Sequence, residues 1–484
     1  MLSVSTHLKH NPTRIISRFS RLFYSTTASP ISPMLDTSPP IHRINEGTTS
    51  LNRDLFQKSI PILAARMHPA KIGTFINNPF FRRVILDLPR TRSVISDKDS
   101  ESKLLLFRIQ GKDELPQEML EFMEKKGVTL VDHTVKLSYD FWNTDDILYA
   151  ILPEELVEGA PSGFAAMGHL AHLNLREEYL PYKYIIGQVI LDKNPRIRTV
   201  VNKLDTIHSQ FRFFDMELIA GEPDFVVQHR ESNCQFTFDF REVYWNSRLH
   251  TEHERLINLF NPEEGIVADV MAGVGPFAVP SAKKGCAVLA NDLNPACSKW
   301  HRKNVADNNV AENLRVYCED GRDFIRSSFR RAFDEPFAPY TERVSLRKKQ
   351  RNERKNRQEQ AQTTEGEVAP KIVAAERPKR NRIDHFVMNL PDSAISFLDA
   401  FRGVLSTSDR ALCGIYESLP LIHCHCFTRF VGDEAEADIR ERVETVLGGK
   451  LEGDEKIHLV RSVAPGKDMY CISFRLPHKV AYAS

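Results

Sequence analysis

The chain carries almost no net charge: 65 Lys and Arg stand against 64 Asp and Glu in 484 residues, a formal balance of +1. That balance neither demands nor excludes a nucleic acid, and any phosphate-binding face has to be a local patch. No uninterrupted apolar run approaches the roughly 20 residues that a membrane-spanning helix needs. The eight cysteines contain no C-x-x-C pair, which argues against a disulfide framework and fits a reducing compartment. His423-Cys424-His425-Cys426 offers zinc-ligand types, but alternate residues of a strand face opposite ways, so the run reads as core strand. Acidic residues are missing before Asp36, and residues 1–35 hold Lys9, Arg14, Arg18 and Arg21 among serines, threonines and apolar residues. That is the composition of a mitochondrial targeting segment, with Arg21-Leu22-Phe23-Tyr24-Ser25 suited to processing and Met34 available as a second start.

What remains is ordinary for a globular chain, 42% hydrophobic and 27% charged, and long enough for about three domains. It is organised around Asp269-Val270-Met271-Ala272-Gly273-Val274-Gly275-Pro276-Phe277, which follows an apolar run at 265–268 and precedes a helical stretch at 278–285. Strand, glycine turn and a helix beginning near Pro276 bring free backbone N–H groups close to a ligand. The spacing also fits the loose dinucleotide pattern, so a nicotinamide cofactor and an ordinary glycine turn stand beside S-adenosylmethionine. Asp269 favours the last, because a carboxylate ahead of the glycines repels a pyrophosphate and attracts the ammonium of a methionine moiety.

Residues 287–292 read as a second strand ending in Asp292, placed to hydrogen-bond a ribose. Leu293-Asn294-Pro295 starts the next helix. A third strand, 314–318, ends at Glu319-Asp320-Gly321, where a side-chain acceptor can meet an adenine amino group, and a fourth, 385–388, delivers Asn389-Leu390-Pro391 to the same edge. Open α/β sheets bind their ligands at that edge.

Taken together, Tyr244-Trp245-Asn246-Ser247-Arg248-Leu249, Thr251-Glu252-His253-Glu254-Arg255, 269–277, 291–295 and Asn389-Leu390-Pro391 resemble the archaeal and eukaryotic tRNA (guanine-37-N1)-methyltransferase family. The C-terminal stretches 462–471 and 473–477 add to the likeness, which covers most of the chain after about residue 50. The resemblance implies a class I, Rossmann-like methyltransferase domain at 244–484, preceded by two smaller α/β or α+β tRNA-binding domains at 50–136 and 137–243. It also implies S-adenosylmethionine as cofactor, tRNA as partner, no membrane association, and a distribution over mitochondrial matrix, cytoplasm and nucleus. Nothing requires a dimer, and a monomer is expected.

Guanine N1 carries a proton, so a base must remove it, and the charge that then develops on O6 calls for a donor. The resemblance implies Glu252 as base, with Glu254 as internal rival and Arg255 able to ion-pair with either. It implies Arg212 as the donor to O6, Asn389 at the base edge, Pro391 stiffening that turn, and Tyr244 near the target base. Read by residue type alone, Tyr244 is a core tyrosine and Arg212 a surface stacker. Cofactor contacts are expected from Asp269, Ala272, Gly273, Gly275, Pro276, Asp292, Leu293, Asp320, Gly321 and Asn389. His253 stands where an arginine often follows the glutamate; a contact from it to the cofactor carboxylate would be weaker and pH-dependent.

Elsewhere, 145–152 and 164–175 read as helices, and 184–191 and 199–202 as strands. Lys183, Lys193, Arg196, Arg198, Lys203, His208, Arg212, His229 and Arg230 make this half locally cationic, a footprint suited to RNA. Residues 327–384, too polar and basic to bury a core, read as a largely disordered insertion. Beyond it, 394–404 and 433–447 read as helices and 410–416, 421–427, 456–461 and 468–474 as strands. The rival activities are aminocarboxypropyl transfer to tRNA on the same fold and tRNA binding without catalysis.

Overall fold

The computed structural model describes residues 35–97, 101–207, 214–341, 379–406 and 410–483. They form two compact units, 35–42 with 52–150 and 43–51 with 151–483. No helix among the described residues is long and apolar enough to cross a membrane.

In the first unit, strands β1 (Lys58–Met67), β2 (Val94–Ser96), β3 (Lys103–Leu106) and β4 (Thr129–Leu137) form an antiparallel sheet in the order β2-β3-β1-β4. Alternate residues of β1, Leu63, Ala65 and Met67, meet Met119 and Met123 of the helix Gln117–Lys125. The unit runs past the expected boundary at 136, through buried Trp142, to Ala150.

The second unit begins with β5 (Ala165–Met167), β6 (Leu170–Leu173), β7 (Thr199–Ile207) and β8 (Phe214–Gly221) in one sheet, and the hairpin β9 (Val226–Glu231) and β10 (Cys234–Asp239). Two expectations fail here. Residues 164–175 are a hairpin turning at Gly168 (φ +58°), where a Cβ would stand 2.7 Å from the Gln228 carbonyl oxygen. Lys183–Lys193 is a helix, because Ile185, Ile186, Val189 and Ile190 recur at helical spacing and bury one side; their β-branched character pointed to strand, and periodicity won.

The remaining strands are β11 (Ile266–Asp269), β12 (Ala287–Asn291), β13 (Leu314–Tyr317), β14 (Ile383–Met388), β15 (Leu421–Thr428), β16 (Lys456–Ala464) and β17 (Lys467–Arg475). They pair in the order β13-β12-β11-β14-β15-β17-β16, with β17 antiparallel to both neighbours. This is the expected class I methyltransferase sheet. Strand order reverses between β11 and β14, and such a switch point opens a crevice at the strands' carboxyl ends. Residues 410–416 do not supply a strand; Arg410–Cys413 is a short helix.

Residues 151–243 do not separate from the large sheet. Val227, Phe236 and Phe238 share one buried cluster with Val267, Ala278 and Val288. Asn304, on the helix Pro295–Asp307, accepts from the Thr237 amide at 2.8 Å and donates to the Val274 carbonyl at 3.1 Å. The ends of the expected insertion are also built in. The helix Gly321–Asp334 continues through its start, Phe337 bridges Arg380, and buried Arg380 donates to the carbonyls of Gly285 and Ala338. Residues 342–378, like 1–34, lie outside the described residues.

Candidate functional site

The ends of β11, β12 and β13 are tied together by one side chain. Asn291, 1% exposed, donates to the carbonyls of Val270 (3.2 Å) and Glu319 (3.0 Å) and accepts from the Glu319 amide (3.0 Å). Its own carbonyl receives the Ala272 amide at 2.7 Å. Asn291 thus sets where the glycine turn starts, a role that its neighbour Asp292 obscured in the sequence.

In the turn, Gly273 and Gly275 have φ of +54° and +98°. Nothing lies within 4 Å of a Cβ built on Gly273, whereas one on Gly275 would stand 2.6 Å from His301 Nε2. Open space above one glycine and a packed ring below the other leave the backbone bare toward the crevice. His301 is fully buried with neither ring nitrogen hydrogen-bonded, and burial pulls its pKa down to about 3, so it is a neutral plug. Asp292 accepts from the Gly273 amide at 2.8 Å and, through its other oxygen, from the Asn294 amide at 2.9 Å. It is a brace of the turn as well as the expected ribose contact. Leu293 is 45% exposed beside it. Asp320 caps the helix Gly321–Asp334 by accepting from the Arg322 amide, and Gly321 fits where a Cβ would press on Phe397 and Val270.

Asp269 is 0% exposed, and among the described residues neither carboxylate oxygen has a partner at hydrogen-bond geometry, the Met271 amide acting on it only weakly. Burial, reinforced by the nearby Asp292 charge, pushes its carboxyl well above the ordinary range. A buried acid without a partner is costly, and a cationic ligand group delivered to the crevice would relieve that cost. Asn389, at the end of β14, likewise holds its buried side-chain oxygen without a donor, and the Pro391 carbonyl accepts from the Phe427 amide at 3.1 Å. The residues present fit S-adenosylmethionine, with Asp269 the acid that would offset its ammonium.

Glu252 lies in the first turn of the helix His250–Leu259 with its side chain 1% exposed, while Glu254 points to solvent. Its carboxylate accepts from Arg255 Nε (2.6 Å, Oε2) and Nη2 (2.8 Å, Oε1) and from His425 Nε2 (2.7 Å, Oε1). Burial alone would raise its pKa; the Arg255 and His425 hydrogen bonds outweigh that and hold it at about 2. His425 is itself fully buried, which disfavours its charge, yet Cys471 and Glu252 together raise its pKa to about 10. The His423 to Cys426 run is core strand, as its alternation suggested, but one of its histidines faces Glu252. Ligand atoms of Glu252, His425 and Cys471 lie within 4.8 Å of one another; with Arg255 already bound to both Glu252 oxygens, the cluster reads as a charge-paired clamp.

The other expected residues are distributed unevenly. His253 is buried and paired with Glu231, which also approaches His229 at 3.6 Å. Tyr244 is 51% exposed, not a core tyrosine. Arg212 lies outside the described residues. Part of the cationic footprint is neutralised within the unit, since Lys183 pairs with Glu217 and Arg198 with Asp224. Asn291, His301, His425 and Cys471 were missed in the sequence; only the buried-polar character of each, visible after folding, marks them.

Family models for the TYW2 N-terminal domain and the TRM5/TYW2 methyltransferase domain match residues 144–224 and 227–335. A tRNA (guanine(37)-N(1))-methyltransferase of Coprinopsis cinerea is 54% identical over 93% of this chain and 98% of its own length. One from Saccharomyces cerevisiae is 39% identical over 96% of this chain and 99% of its own length. The chain belongs to this family. Its fold is also that of a solved complex of aTrm5 with tRNALeu, at a TM-score of 0.56 and 18% identity over 86% of this chain and 100% of that one.

Two outcomes are expected of the family's cofactor loop and clamp. Gly275→Ala places a Cβ against His301 at a positive φ, a cost of at least about 1–2 kcal/mol, and calorimetric titration with S-adenosylmethionine will show about tenfold weaker binding or worse. His425 is held above its ordinary 6.5, so the stability it contributes is full below that pH and is lost as pH rises through about 10. His425→Gln therefore destabilises most near pH 6, by about 3 kcal/mol or more, and urea unfolding will show the gap to wild type narrowing toward pH 10. A gap independent of pH would mean that His425 is neutral in the folded protein.

Proposed function

We propose that this protein transfers a methyl group to N1 of guanine 37 of tRNA, the base 3′ to the anticodon, and so supports maintenance of the reading frame. The observation that carries this reading is the coincidence, at the carboxyl ends of neighbouring strands, of a buried unpartnered acid, a glycine turn and a buried unpartnered Asn389 oxygen with relatives 39–54% identical over nearly the whole chain. S-adenosylmethionine is the cofactor and supplies an electrophilic methyl group.

The protein's own residues do the rest. Asp269 receives the cofactor's ammonium, and Asp292 braces the turn on which the cofactor rests. Asn389 offers its free oxygen to the amino or imino edge of guanine and fixes the base in register. Arg212 donates to O6 as charge develops there, on the strength of the motif it occupies. Glu252 accepts the N1 proton, worth about 10²–10⁴-fold in rate. Exposed Tyr244 stands free to stack on an extruded base, and contacts to distant parts of the tRNA offset the few kcal/mol that extrusion costs. The acid-free basic segment 1–35 sends part of the protein to mitochondria, and starts at Met34 leave the remainder in cytoplasm and nucleus; its composition supports this.

Transfer from labelled S-adenosylmethionine to unmodified tRNA tests the reading. Guanine at position 37 is expected to be methylated and adenine not, with Glu252→Gln slower by about 10²-fold or more. Transfer indifferent to base 37 would refute the substrate, and a fully active Glu252→Gln would move the base elsewhere. Fused to a fluorescent reporter, residues 1–35 are expected to direct it to mitochondria; a diffuse signal would sink the targeting reading.

A further inference from the structure

The proton that Glu252 takes has to leave a nearly waterless site. A carboxylate offers roughly four acceptor positions, and Arg255 and His425 fill three of them, one on Oε2 and two on Oε1. Among the described residues, the position left open is on Oε2. His458 of β16 places its Nε2 3.9 Å from that oxygen with a side chain 48% exposed, whereas the His425 side chain, bound to the other oxygen, is 0% exposed. Register explains the placement: His425 of β15 and His458 of β16 both pair with Cys471 of β17. Directly opposed residues share a face, so the three form a row across the sheet beneath Glu252, with its outer end in water.

We propose that His458 is a relay residue that carries the N1 proton from Glu252 to solvent. This rests on Glu252 being the base. The N1–H bond breaks, its electron pair stays on N1 and attacks the methyl carbon as the carbon–sulfur bond breaks with its pair left on sulfur, and the proton forms an O–H bond at Oε2. Transfer to His458 Nε2 restores the carboxylate, and the imidazolium loses its other N–H proton to water or buffer. Methyl transfer is thus followed by proton release without waiting for the tRNA to depart. His458 faces Glu252 and Arg255 of the helix and His425 of β15; burial and the Arg255 charge lower its pKa from the ordinary value, which keeps it a neutral acceptor at pH 7. The 3.9 Å separation closes by rotation of an exposed side chain or across one water.

The test is proton release in a single turnover of the full-length protein with unmodified tRNA, read by a pH-indicator dye beside quenched measurement of methyl transfer. In wild type the two rates should coincide. In His458→Gln and His458→Phe, proton release should lag methyl transfer by about tenfold or more, and added imidazole should abolish the lag. Proton release that keeps pace with methyl transfer in both variants would overturn the relay. Failure of the underlying reading is separate: Glu252→Gln would then transfer methyl groups at the wild-type rate, whatever the His458 variants do.

Discussion

The catalytic unit depends on burying a carboxylate between two cations. Taking Glu252 out of water costs several kcal/mol, and only Arg255 on its own helix and His425 on β15 make that tolerable. Because the partners come from different elements, the interaction fixes the helix His250–Leu259 over the sheet, at one height and rotation. The glutamate of that motif is in place only when β15 is in place. A surface ion pair would not have this effect, since water would replace either partner at little cost.

The ends of β11 and β14 work by leaving polar groups unsatisfied. Asp269 and Asn389 end adjacent parallel strands, β11 and β14, and hold buried oxygens with no hydrogen-bond partner among the described residues. Asn291, by contrast, has both its side-chain donors and its side-chain oxygen engaged, locking the turn above it. A rigid frame thus surrounds a few buried polar groups that a ligand could satisfy.

How legible this was varies by element. Strands 266–269, 287–291, 314–317 and 383–388 could be read because each is short, apolar and ends in a polar or glycine signal. Residues 164–175 and 183–193 exchanged identities. In the first, the apolar positions of a tight hairpin imitate a helical stripe; in the second, a run of isoleucine and valine imitates a strand, although its i, i+1, i+4 and i+5 burial is helical. The ends of the 327–384 segment were taken for disorder because arginine dominates them. Arg380 is nonetheless buried, since three acceptors converge on its guanidinium.

By itself the sequence determined the family, the four strand ends that carry the site and the side of the sheet that binds, because the glycines, the strand-end acids and Asn389-Leu390-Pro391 are local signals that survive without knowledge of neighbours. It also named Glu252 as the acid of interest. Only the tertiary structure decided that Glu252 is clamped, that His425 and Cys471 lie beneath it and that His458 leads outward from it. Those contacts join residues some 173 positions apart, and they exist only through the register of β15, β17 and β16. Long-range register follows from how a whole sheet packs, and no window of sequence carries it.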